Sequence, residues 1–126
     1  MNEKIRIVIA EDDPAFRRVI DFMLRREGAT TITAKDGAEA LNHLEREPCD
    51  LLVTDAQMPN MNGIELIEHV RRHGSLMNLP IILCTAKGLE IDSETMKRKY
   101  HLTAVFHKPF SPLALVETVR VHAGLA

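Results

Sequence analysis

Apolar residues come in short, evenly spaced blocks along this chain, separated by segments whose apolar positions recur every three or four residues. The first block, Ile5 to Ala10 (IRIVIA), is rich in β-branched residues and stops abruptly at Glu11, Asp12 and Asp13, which predicts a buried strand. Asp13-Pro14 then offers a helix N-cap and a proline for the first turn. Phe16, Val19, Ile20, Met23 and Leu24 mark one helical face, which runs to a stop near Gly28. Thr30 to Ala34 predicts a second strand, and Asp36-Gly37 opens a second helix through Ala38, Leu41 and Leu44 that must close before Pro48. Leu51 to Thr54 reads as a third strand, Ile64, Ile67 and Val70 as a third helix ending at Gly74, and Ile81 to Cys84 as a fourth strand. Beyond Thr85 the pattern thins to Leu89, Met96 and Tyr100 among many charged residues, so the fourth helix has the weakest signal. Ala104 to His107 gives a fifth strand, and Ser111-Pro112 begins a last helix carrying Leu115, Val116 and Val119.

Strands that alternate with helices need crossover connections, and right-handed crossovers make the sheet parallel with helices on both faces. The predicted class is therefore α/β, a doubly wound five-stranded parallel sheet. At 126 residues the chain suits one domain spanning residues 1–126. With 45% hydrophobic and 27% charged residues it has enough apolar surface to offset chain entropy. A net charge of -2, with 16 basic residues spread along the chain, argues against direct nucleic-acid binding. The densest basic run, Lys97, Arg98 and Lys99, fits a solvated helix face. No segment approaches the roughly 20 apolar residues that cross a bilayer, and the amino terminus turns acidic too early for a signal peptide. No membrane association and a cytoplasmic location are the expectations. Cys49 and Cys84 are widely spaced, and Cys84 sits inside an apolar run, as expected of reduced thiols used for packing.

In doubly wound sheets, ligands bind beyond the carboxyl ends of the strands. Those positions hold Glu11, Asp12 and Asp13 after the first strand, Asp55 after the third, Thr85 after the fourth and Lys108 after the fifth; the second strand contributes none, as befits an edge. If the strands are neighbours, at least three carboxylates converge. Like charges about 4 Å apart repel by roughly 4 kcal/mol at an effective dielectric near 20, so protons, a cation or Lys108 must compensate. Hard oxygen ligands without clustered thiols or imidazoles favour magnesium (Mg2+), with manganese (Mn2+) as the alternative, over zinc. Thr85 and Lys108 add donors for phosphoryl oxygens, which makes Asp55 the candidate nucleophile for phosphoryl transfer. Taken singly, each of these residues has a blander reading: Asp13 as the cap of the first helix, Thr85 as a strand-end hydroxyl, Lys108 as a solvated cation. The weight comes from four strand ends agreeing.

From its first strand to its last helix the chain resembles the receiver domains of bacterial response regulators. The resemblance rests on the acidic pair in IVIAEDDP and on the segments LLVTDAQMPNMNG, ILCTA and HKPF, in the family's order and spacing. It implies the flavodoxin-like strand order 2-1-3-4-5 and phosphorylation at Asp55. Asp12 would hold the metal, joined by Glu11 through water and by the main-chain carbonyl of Gln57. Lys108 would bind one phosphoryl oxygen, and Thr85 would move to hydrogen-bond another. The Lys108-Pro109 bond would be cis, and Met58-Pro59 and Gly63 would shape the loop into the third helix. A sensor histidine kinase or phosphotransfer protein would be the donor, and the fourth-helix and fifth-strand face would meet a downstream protein partner. Such a domain is a switch and not an enzyme, since it catalyses only its own phosphorylation and dephosphorylation.

Two features depart from the family. The position three before the lysine, usually aromatic, is Val105, and strand alternation should send Phe106 to the opposite face. The segment KRKYHLTAVF lacks the small-residue turn that often precedes the last strand. Gln57 and Lys87 occupy positions that tune the lifetime of the aspartyl phosphate in the family. Rival readings are weaker. An aspartyl-phosphate phosphatase of the haloacid dehalogenase type needs an Asp where Gln57 stands, and a flavin phosphate would be repelled by Glu11, Asp12 and Asp13. A phosphorylation-independent docking module would not need the intact Asp12, Asp55, Thr85 and Lys108 set. His69 and His73, spaced i, i+4, could present two imidazoles to zinc, but a solvated helix face explains them better.

Overall fold

A computed structural model describes residues 4–86 and 92–123 of the chain. The elements alternate as the pattern requires: β1 (Arg6–Ala10), α1 (Pro14–Arg26), β2 (Thr30–Ala34), α2 (Gly37–Arg46), β3 (Leu51–Asp55), α3 (Gly63–Arg72), β4 (Ile81–Thr85), α4 (Ser93–Tyr100), β5 (Ala104–His107) and α5 (Pro112–Ala123). All strand pairings are parallel and the sheet order is β2-β1-β3-β4-β5. This is the doubly wound, flavodoxin-like arrangement. A single 3-10 turn, Gly74–Leu76, follows α3, which ends at Arg72 and so stops two residues short of Gly74.

Every residue of β3 and β4 is buried, which is why these strands read as unbroken apolar runs and not as alternating ones. Side chains still alternate between faces. Val8, Leu52, Ile81 and Leu83 join Leu66, Ile67 and Val70 of α3 in one cluster, while Ile7, Ile9, Leu51, Val53 and Ile82 join Ile20 and Leu24 of α1 and Leu115 and Val119 of α5 in the other. On α1 the buried line is Ile20 and Leu24, and Val19, at the margin of the predicted face, is 43% exposed. On α2 the line is Gly37, Ala40 and Leu44; Ala38, one step off it, is exposed. At the β2 edge, Thr31 Oγ1 donates to the Asp21 carboxylate and accepts from Arg25 Nε at 2.8 Å, fixing a charged pair of α1 to the strand.

The faint signal for α4 has a physical cause. Tyr100 is the one buried side chain of this eight-residue helix, and Lys97, Arg98 and Lys99 are exposed as expected. Polar bonds supply what a hydrophobic stripe would. Tyr100 donates from its hydroxyl to Glu68 at 2.8 Å, and the Arg71 guanidinium of α3 donates to the carbonyls of Tyr100 at 2.7 Å, Leu79 at 2.8 Å, and Met77 and His101 at 3.1 Å. Leu89 and Lys87, both named from the sequence, lie outside the described residues. Among the described residues no helix is long and apolar enough to cross a membrane.

Candidate functional site

The parallel order places β1 and β4 on either side of β3, so their carboxyl ends meet around Asp55. Carboxylate oxygens of Glu11, Asp12 and Asp55 lie within 4.8 Å of one another, the convergence expected from the strand ends. Asp13 stands apart: its side chain caps α1, accepting from the amides of Ala15 at 3.0 Å and Phe16 at 3.4 Å. Lys108 enters from the far side of the sheet. Its Nζ lies 2.8 Å from Glu11 Oε1 and 3.3 Å from Asp55 Oδ1, and 4.8 Å over the Phe16 ring. The Lys108-Pro109 peptide is cis.

Burial sets the electrostatics. It raises the carboxyl pKa values of both Glu11 and Asp55, and Lys108 pulls each back only in part. Burial works the other way on Lys108, but the two carboxylates outweigh it and hold the ammonium above its ordinary range. Glu11 has both oxygens engaged, Oε1 by Lys108 and Oε2 by the amide of Asp13 at 3.1 Å. That leaves Asp12, which is exposed, as the member of the trio not paired with Lys108, since Asp55 is buried with Oδ1 beside the ammonium. Thr85 is fully buried and its Oγ1 has no hydrogen-bond partner among the described residues, whereas its carbonyl accepts from the Lys108 amide at 2.7 Å. An unpaired buried hydroxyl is costly, so it marks a place where an incoming oxygen would be favoured.

The raised pKa of Asp55 fixes a sign. Between its ordinary value of 3.8 and its higher folded value, the folded state holds more protons than the unfolded chain, so stability falls as pH rises through that window. At neutral pH the ionised carboxylate is a net cost to folding. Asp55→Asn is therefore expected to stabilise the fold at pH 7 by about 1 kcal/mol, the usual size when a destabilising functional group is removed. Urea denaturation at several pH values checks this. The gain should narrow toward pH 4, and a gain independent of pH would contradict the electrostatic cause.

The loop from β3 to α3 is held at its base by a close backbone approach. A Cβ at Gly63 would sit 1.9 Å from the Asp55 carbonyl oxygen, and the Gly63 amide donates to the carbonyl of Ala56 at 2.9 Å. Asn62 and Glu65 form a reciprocal capping box on α3. Gln57 lies in this loop with its side chain exposed. The loop apex is held by residues to which the sequence pattern gave no site role. Asp36, at the end of β2, accepts from Asn60 Nδ2 at 2.8 Å, and the Gly37 amide donates to the Met61 carbonyl at 2.8 Å. Asp36-Gly37 reads as a helix start in sequence, and the lone usable cue for the far partner is an Asn beside Pro59, a residue type that tolerates the positive φ of 66° found at Asn60.

Val105 and Phe106 point to opposite faces as alternation predicts: Val105 packs on the cluster that contains α3, and Phe106 packs on Phe110, with ring centroids 5.0 Å apart. On the Val105 face, two residues further along β5, the His107 ring is hydrogen-bonded to the Ser93 hydroxyl at the start of α4. His73 falls outside α3 as its C-cap and turns toward Glu45 at 3.6 Å, and among the described residues the acidic trio is the one group spaced for a metal. Cys84 is buried and Cys49 half-buried, both free, and burial raises both thiols, in keeping with packing.

The class these features define is a doubly wound parallel α/β sheet with a lysine-braced acidic cluster at its strand ends. Residues 7–120 match the response regulator receiver domain model. An uncharacterized 14.6 kDa protein of Leptolyngbya boryana is 40% identical over 114 residues, covering 90% of this chain and 86% of that protein. The phosphate regulon transcriptional regulatory protein PhoB of Escherichia coli is 32% identical over 119 residues, covering 91% of this chain and 50% of PhoB, so the chain spans about half that relative's length. The receiver domain of a Pseudomonas aeruginosa sensor histidine kinase, solved with a magnesium ion coordinated in its active site cleft, superposes with a TM-score of 0.83 at 26% identity, over 97% of this chain and 99% of that one. The chain belongs to the response regulator receiver domain family of two-component signalling.

Proposed function

We propose that Asp55 accepts a phosphoryl group from a histidine kinase or phosphotransfer protein, with a divalent ion held beside it, and that the modified domain changes its affinity for a protein partner. The observation that carries this reading is Lys108 Nζ, 3.3 Å from Asp55 Oδ1, opposite an acidic trio within 4.8 Å. Receiver domains as a family bind magnesium at such a pocket and meet histidine kinases or phosphotransfer proteins. The donor set fits that ion: all are hard oxygens, and Asp12 is paired neither with Lys108 nor with a backbone amide. Asp12 and Asp55 would hold it directly, Glu11 through water, and the Gln57 carbonyl would complete the protein ligands; manganese suits the same donors. Such an ion, when bound, neutralises the carboxylates and draws charge from the phosphoryl oxygens.

The chain's own residues do the rest. An Asp55 oxygen attacks phosphorus in line as the donor's bond to phosphorus breaks, and the Lys108 ammonium faces the charge that develops on a phosphoryl oxygen. Thr85 Oγ1, without a partner at rest, donates to another of those oxygens. Its engagement, with that of Lys108 just after β5, biases the loops toward a second state that a partner can distinguish. The face of α4 and β5 is the proposed contact surface.

Intact-mass spectrometry after incubation with acetyl phosphate tests the chemistry. A single phosphoryl adduct is expected on the natural protein with magnesium, and none without magnesium or on Asp55→Asn. If a kinase donor also leaves the protein unmodified, the phosphoacceptor reading fails.

A further inference from the structure

Asp36 is a buried acid outside the acidic trio. It sits 6% exposed at the carboxyl end of β2, and its two oxygens face different elements. Oδ1 accepts from the Glu39 amide at 2.8 Å and caps α2. Oδ2 accepts from Asn60 Nδ2 at 2.8 Å, reaching the loop that joins β3 to α3. These donors hold the carboxyl below its ordinary value, the Glu39 amide first and Asn60 second, so the group is a carboxylate at neutral pH. It has no cationic side chain within salt-bridge distance among the described residues; amide donors and the positive end of α2 stabilise it.

A helix cap alone needs one oxygen, and Ser or Asn would serve. The second oxygen is what ties the cap to the loop. Residues 57–62 have one end fixed at the site, where Ala56 donates to Cys84 at 2.7 Å and Gly63 to Ala56 at 2.9 Å. Their apex meets α2 in two places, through Asn60 on Asp36 and through the Met61 carbonyl on the Gly37 amide, where a Cβ on Gly37 would fall 2.5 Å from that carbonyl oxygen. Asn60 adopts a left-handed backbone, φ 66°, that turns the loop back toward its base. Gln57 lies between the pinned base and the pinned apex.

We infer that Asp36 and Asn60 are positioning residues, whose side-chain bond fixes the β3 to α3 loop in the shape that presents the Gln57 carbonyl to the divalent ion. This rests on the phosphoacceptor reading above and extends it to the edge strand. Holding a ligand loop before the ion arrives removes an ordering cost from binding, so the bond should show itself in ion affinity more than in the maximal rate.

The bond can be removed from either side with its local side effects kept apart. Asp36→Ser keeps a capping oxygen for α2 and loses the oxygen that holds Asn60. Asn60→Gly keeps the left-handed backbone and loses the amide. Magnesium is titrated into the unphosphorylated, full-length protein while amide shifts of residues 56–63 are followed by NMR. Acetyl phosphate uptake is measured in parallel at limiting and saturating magnesium. Each variant should need at least threefold more magnesium at the midpoint, with uptake at saturating magnesium within twofold of the natural protein. The two changes together should be no worse than either alone, since they remove one bond. The exchange Asp36→Asn with Asn60→Asp, which restores the bond with donor and acceptor reversed, should recover most of the affinity. Unchanged midpoints in both single variants would overturn the inference while leaving the phosphoacceptor reading intact. A natural protein that shows no magnesium-dependent shifts would instead overturn that reading, and this inference with it.

Discussion

Replacing Lys108 with Met is expected to slow phosphoryl uptake from acetyl phosphate by about 100-fold while tightening magnesium binding severalfold. The two effects oppose each other because the ammonium faces two ligands of opposite charge. At rest it lies 2.8 Å from Glu11 and 3.3 Å from Asp55, offsetting part of the repulsion among the acidic trio. If Asp55 accepts a phosphoryl group as proposed, during transfer the ammonium would face an oxygen on which negative charge grows, and loss of one such donor typically costs about 100- to 1000-fold in rate. Without it the cluster attracts a cation more strongly. Protons compete for the same oxygens, however, because the carboxyls of Glu11 and Asp55, already raised by burial, lose the lysine that lowers them. The tighter magnesium binding should therefore be clearest on the alkaline side of neutrality and fade on acidification. Stopped-time mass spectrometry and an NMR titration at two pH values separate the arms, and unchanged uptake would reduce Lys108 to a resting counter-charge.

Gly63→Ala should be among the most damaging single changes to the fold, at about 3 kcal/mol. In the first turn of an exposed helix the same exchange would stabilise by about 0.4–1 kcal/mol. Here the added methyl would sit 1.9 Å from the Asp55 carbonyl oxygen and 2.9 Å from its carbon, both backbone atoms of a fully buried strand. Either α3 moves away from β3 or the carbonyl rotates, and overpacking a rigid site commonly costs about 1–3 kcal/mol or more. Because the residue being displaced is Asp55 itself, uptake should fall along with stability. A denaturant midpoint within error of the natural protein would show that the helix start can shift without cost.

Most of the fold could be read from the chain because parallel strands buried on both faces need short apolar runs with abrupt ends. The ends of IRIVIA and IILC carry that information directly. The strand-end rule named Glu11, Asp12, Asp55 and Lys108, which do meet, for the same reason, since position along a parallel strand fixes depth in the sheet; it also named Asp13, which caps α1 instead. Alternation correctly sent Val105 and Phe106 to opposite faces. What stayed illegible was held by polar bonds between distant residues. Arg71 anchors α4 through carbonyls, which every sequence has, and Asp36 looks like an ordinary helix cap until its second oxygen is seen to reach Asn60. Val19 marks the other limit: a helical stripe predicts a face, but only packing decides where its margin falls.

The order of the sheet also determines what the molecule shows to other chains. In β2-β1-β3-β4-β5 the strands with the most apolar, amyloid-like sequences, IVIA, LLV and IILC, are interior, so their amides and carbonyls are all spoken for by neighbours. Among the described residues, β2 and β5 are the edge strands with an open hydrogen-bonding rim. One is five residues long, rich in threonine and flanked by the Asp21 and Arg25 charges bound at Thr31; the other is four residues long, ends at His107 and is followed by Lys108. Short, polar, charge-flanked rims are poor templates for strand addition. The placement that gathers the site at the centre of the sheet thus also keeps its most self-associating segments out of reach.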